Sequence, residues 1–140
     1  MRKLILLLLL IVSPILAFSQ RTLENVSADK AILYRGIEAK GDTIDVNFKI
    51  HVVKDKDDKV SVSIRNVSND SVQVYNILTL DLIERNERFA YFLYGAVDQK
   101  KEKYSVATLY DKKLRLLKLG LNKNGYMIIF LINYKDEQGL

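Results

Sequence analysis

Cysteine and tryptophan are absent, and the 140 residues include one proline and one histidine. Without cysteine there are no disulfides, thiol nucleophiles or thiolate metal ligands, and no acceptor for the lipid of a lipoprotein. Without tryptophan, a carbohydrate-binding face would have to be built from tyrosine. With His51 as the single histidine, a histidine metal cluster is excluded and any hydrolytic triad would have to use that residue. The chain also lacks a glycine-rich phosphate cradle, a Gly-x-Ser-x-Gly elbow and an HExxH pair. No cofactor is called for.

The proline, Pro14, sits near the end of an apolar run from Leu4 to Phe18, preceded by Met1-Arg2-Lys3. Two cations followed by a leucine block have the form of a secretory leader. The run is shorter than the roughly 20 residues that a spanning helix needs. Ala17 and Ser19 supply the small side chains that signal peptidase requires, which places the cut between Ser19 and Gln20. A mature chain opening on glutamine resembles exported proteins of the Bacteroidetes group. Residues 1–19 are therefore expected to be an address, with the product secreted or periplasmic and holding no membrane span after cleavage.

Loss of Arg2 and Lys3 takes the 22 cations to 20, against 17 anions, so the sequence pI of about 9.3 overstates the basic character. The excess is spread along the chain without a basic stripe, and nucleic acid is not an expected partner. The mature length suits a single core.

Residues 20–30 are polar and without period, and are expected to be a flexible lead-in to one domain over 31–135, with 136–140 as a tail. Beyond residue 30, alternation of period two takes over. In the clearest case Ile44, Val46, Phe48, Ile50 and Val52 alternate with Asp45, Asn47, Lys49 and His51, which places the apolar set on one face of a strand. Further strands are predicted over 60–65, 72–83, 89–97, 104–110, 114–121 and 126–134, with a weaker one near 32–38. The segments between them are turn-forming, and Asn124-Gly125 is a strong hairpin signal. Seven or eight strands at regular spacing predict an all-β, antiparallel sandwich or barrel. An α+β fold with one helix within 76–94 is the alternative, because Leu78, Leu82 and Ile83 approach helical spacing.

The stretch Val60 to Leu80 runs from a strand through Asn66-Val67-Ser68-Asn69-Asp70-Ser71 into a second alternating strand. It resembles the middle of bacterial immunoglobulin-like domains. That resemblance implies an immunoglobulin-like sandwich and nothing about activity.

Candidate chemistry is thin. His51 falls on the polar face of its strand. Asp55, Asp57 and Asp58 could offer oxygen ligands to calcium, but counting from Asp55 an EF-hand would need glycine at Val60 and glutamate at Asn66. Asp81, Glu84 and Glu87 are close enough in sequence to suggest a carboxylate pair, with nothing else to support glycosidase chemistry. Asp42-Thr43-Ile44 and Asp70-Ser71-Val72 resemble the Asp-Ser/Thr-aliphatic signal for O-glycosylation at Thr43 and Ser71 in exported Bacteroidetes proteins. No metal site is predicted.

The last strand breaks the alternation. Tyr126, Ile128, Phe130, Ile132 and Tyr134 share one side, while Met127, Ile129, Leu131 and Asn133 share the other. The bulkier side is expected to face the core. Met127, Ile129 and Leu131 then form an apolar outer face for a protein partner or self-association, unless a helix within 76–87 covers it. The expected function is a non-enzymatic binding or assembly module that recognises another protein; a small inhibitor or carbohydrate-binding domain, or an enzyme of another type, are the alternatives.

N-terminal mass spectrometry of the native envelope protein should find a chain that begins at Gln20, cyclised or not. A membrane-bound form that retains Met1 would overturn the assignment of the leader.

Overall fold

The computed structural model describes residues 21–36 and 40–134. The proposed leader, the cut between Ser19 and Gln20, and the tail 136–140 lie outside the described residues. The chain forms β1 (Arg21–Tyr34), β2 (Asp42–Lys54), β3 (Val60–Asn66), β4 (Val72–Arg85), β5 (Phe89–Val97), β6 (Lys103–Asp111), β7 (Leu116–Lys123) and β8 (Tyr126–Asn133). Each strand pairs antiparallel with the next, and β8 pairs with β1, so the sheet closes into an eight-stranded barrel.

Two expectations are corrected here. The immunoglobulin-like sandwich is replaced by this closed barrel. A sandwich needs connections that carry the chain between two sheets, whereas every connection here joins neighbours in one sheet. The helix considered within 76–94 is absent: that stretch is β4, a tight turn and β5. Two bulges in β4, at Leu78 and Asp81, break the two-residue period and give its apolar residues their false helical spacing. Residues 21–30 likewise form the first part of β1 rather than a loose lead-in. Bulges at Leu23 against β2 and at Asp29 against β8 hide their alternation.

Inward residues of all eight strands fill the interior. Ile50, Val106, Leu116 and Leu119 are fully buried, and Phe48 meets Phe130 edge to face at 5.1 Å between ring centroids. Eight strands enclose a space just wide enough for side chains to fill. The outer surface of β2 and β3 is polar, carrying Asp45, Asn47, Lys49, His51, Ser61, Ser63 and Arg65. On this flank the pattern is the reverse of a transmembrane barrel, which keeps its apolar band outside. Among the described residues no helix is long and apolar enough to cross a membrane.

Three connections use one device. Asp55, Asp98 and Asp111 each accept two backbone N–H bonds on Oδ1, from the residues two and four positions on, at 2.8–3.0 Å. The fourth residue of each turn, Asp58, Lys101 or Leu114, takes positive φ, as three-residue hairpin loops require. Leu114, expected to open a strand, is thus a turn residue, and it is 74% exposed. Asn124 and Gly125, at φ 51° and 84°, form the tight turn predicted for them.

Leu114→Gly should relieve left-handed strain without loss of core contacts. Set against the added flexibility of glycine, the expected gain is about 0.5–1 kcal/mol, or about 2–4 °C in Tm. Thermal unfolding checks this; a lower Tm would mean that the Leu114 side chain contributes packing.

Candidate functional site

The barrel offers three candidate regions: its outer wall around β7, one open end, and the β4–β5 hairpin. On the outer wall, β8 projects largely as expected, except that Tyr126, expected on the inward side, is 62% exposed at the start of the strand. Phe130 is buried, Ile128 and Ile132 pack on the core, and Met127 and Ile129 face outward, partly buried. Met127 and Ile129 line one side of an apolar hollow of about 210 Å³, with Tyr91 and Leu109 opposite. Its floor is Gly120 and Ala107, paired across β7 and β6. A Cβ placed on Gly120 would lie 3.6 Å from the Ala107 Cβ and 3.7 Å from Ile129 Cγ1, ordinary contact distances. The hollow therefore exists because small residues face out between large ones. Lys118 stands at its rim. Leu131, the third residue of the expected face, pairs with Lys118 and Lys30 beside the hollow and does not line it. No helix covers this face among the described residues.

The open end near the Asn124-Gly125 turn holds a depression of about 370 Å³ lined by Leu33, Tyr75, Tyr104, Leu121 and Ile128 among others. Tyr75 and Tyr104 meet edge to face at 5.0 Å. Lys123 lies 5.2 Å from the Tyr104 ring centroid and pairs with Glu102, which keeps its ammonium protonated beyond the usual range. Burial pushes the Tyr75 hydroxyl from an ordinary 10.0 to about 12, with smaller contributions from Tyr104 and Asp98. Deeper toward the other end, burial raises Tyr110 to about 12 as well. Beside Tyr94 and Tyr110, the buried Thr108 hydroxyl meets no hydrogen-bond partner at good geometry.

The β4–β5 hairpin runs on past the end of β3, while β5 stays paired with β6 along its whole length. Every residue from Leu78 to Phe89 is exposed, including Leu78 at 64% and Leu80 at 51%. Only part of this was visible in sequence, because the apolar residues there fitted a helix as well as a strand.

The remaining candidates are dispersed. His51 lies on the outer face of β2 between Asn25 and Ser63. Asp55 is engaged by its turn, and Asp58 pairs with Lys54 at 3.2 Å. Asp81 accepts a hydrogen bond from the Thr79 hydroxyl at 2.7 Å, while Glu84 lies farther out, toward the hairpin tip. Among the described residues no three histidine, aspartate or glutamate side chains gather in a way that could hold a metal. Thr43 is exposed near the start of β2. Ser71 precedes β4, with its hydroxyl donating to Asn69 Oδ1 at 2.7 Å. Compared with family models, curated proteins and solved structures, the chain gives no match.

The raised tyrosine values fix a sign. Above pH 10 the unfolded chain loses phenolic protons that the folded barrel keeps until about pH 12, so stability falls as pH rises through that window. Urea midpoints measured from pH 8 upward should hold until about 10 and then decline. Tyr75→Phe should flatten the decline; an unchanged slope would mean that Tyr75 does not titrate late.

Proposed function

We propose that this protein is an exported, non-enzymatic binding module that recognises another protein through the hollow beside β8. The observation that supports this is the apolar depression itself, lined by Tyr91, Ala107, Leu109, Gly120, Met127 and Ile129 on the outside of a barrel. A closed barrel already has its core inside, so an outer wall has no folding reason to expose such a surface. Interfaces draw most of their affinity from a few apolar or aromatic anchors seated in pockets of this kind. The occupant is a large apolar side chain from the partner, and Lys118 at the rim favours an acidic residue next to it.

Gly120→Leu tests this without unfolding the barrel. The added Cβ meets only ordinary contacts, and a strand gains propensity when glycine is replaced, by up to about 1 kcal/mol. Tm should stay the same or rise. A photo-crosslinker at Ile129 in the native cell should capture a protein partner in wild type and lose it in Gly120→Leu. An adduct that persists in the filled variant, or no adduct from wild type, overturns the proposal.

A further inference from the structure

We propose that the unpaired edge of β4, residues 78–85, pairs antiparallel with the same edge of a second copy of this chain. The warrant is backbone accounting. β3 has 7 residues between neighbours of 13 and 14. It pairs with β4 only from Val72 to Asn76. Beyond that point β4 has β5 on one side and no strand neighbour on the other among the described residues. A row of peptide groups presented in this way is a template for another strand.

Side chains decide what fits. The edge carries Leu78, Leu80, Leu82 and Ile83, all exposed, and has neither lysine nor proline to guard it. The bulges at Leu78 and Asp81 twist its first half; residues 82–85 then run in regular register against Leu93 to Ala90.

Two further stretches lack a strand neighbour on one side among the described residues: β1 before Ser27, where its pairing with β8 stops and which carries Arg21 and Glu24, and β2 before Phe48, where its pairing with β3 stops. The β2 stretch is guarded. It holds Asp42 and Asp45 with no cation, and Asp45 is occupied by Lys30 at 2.9 Å. Laid on β4, it would set acids against Asp81 and Glu84, so a head-to-tail chain of copies is disfavoured. Two β4 edges suit each other better. An antiparallel pair centred on Ile83 sets Ile83 of the two copies side by side and brings Asp81 of each copy level with Arg85 of the other, twice, about a two-fold axis that closes the assembly.

Sedimentation of the mature chain from about 1 µM to about 100 µM, the range in which a small interface dissociates, should show a monomer–dimer equilibrium. Amides 78–85 should exchange slowly in the dimer. The double variant Leu82→Lys, Ile83→Lys places four cations across the axis and should weaken dimerisation at least about tenfold. Its Tm at a concentration where wild type is also monomeric should be unchanged, because both positions are exposed. Gly120→Leu should dimerise normally, which separates this interface from the hollow beside β8. A monomer at the highest concentration, a dimer indifferent to the two lysines, or slow exchange at 78–85 seen only with a different protein bound would each overturn the proposal.

Discussion

The ladder between β1 and β8 is what makes this chain a barrel. Without it, seven consecutive hairpin pairings would give an open sheet with two long edges and an apolar face with nothing to cover it. β1 has to serve two neighbours at once, and its register shifts between Ala28 and Lys30 against both: Asp29 is the extra residue against β8, while against β2 the extra residue lies on β2. The bulge bends the strand around the core. Small residues permit the tight closure: Ala28 and Ala31 are buried, opposite Ile132 and Phe130 of β8. The last strand in the sequence thus delivers a buried aromatic ring to the point where the first strand has small side chains.

Closure also sets the character of the two surfaces. Once the inside is filled by aliphatic residues, the outside answers only to solvent and partners. On β2 and β3 it is polar, as a free surface should be. Around β7 it is apolar and dented, and Gly120 is the cause: a strand interior ordinarily loses stability at glycine, yet here no close backbone contact requires one. A residue that costs local stability and relieves no crowding is consistent with a surface shaped for something outside the chain.

Much of this was legible before the structure. Period-two alternation located the strands after the first, whose weak signal near 32–38 caught only the end of β1, aspartate and asparagine marked the turns, and Ile128, Phe130 and Ile132 of β8 declared which side was inward. Closure was not legible, because alternation tells inside from outside but not whether the inside belongs to a sandwich or to a barrel. The resemblance over Val60 to Leu80 misled for the same reason. It covers β3, a turn and part of β4, a hairpin that either architecture contains. Each misread segment contains a bulge: Leu23 and Asp29 in the supposed lead-in, Leu78 and Asp81 in the supposed helix. A bulge moves one residue out of phase and erases the signal locally. The hollow was half legible, since Met127 and Ile129 were visible as an outward pair while its floor, Gly120 and Ala107, comes from two other strands.

The shortness of β3 ties these features together. Its far end is fixed by the turn from Asn66 to Ser71, where Asn66 Oδ1 accepts the Ser68 N–H at 3.0 Å and Arg65 pairs with Asp70. Seven residues cannot span neighbours twice as long, so the wall is notched on either side of β3, at opposite ends. Evolution could fill such notches with longer strands, or guard them with charge, and the β2 notch is guarded by Asp42 and Asp45. The β4 notch instead carries four large aliphatic residues and an uninterrupted exposed run to Phe89. Two bulges stiffen and twist the approach to it, but the regular stretch beyond Asp81 keeps its peptide groups aligned. The two notches arise from the same short strand, and the asymmetry between them is the feature that folding alone does not explain.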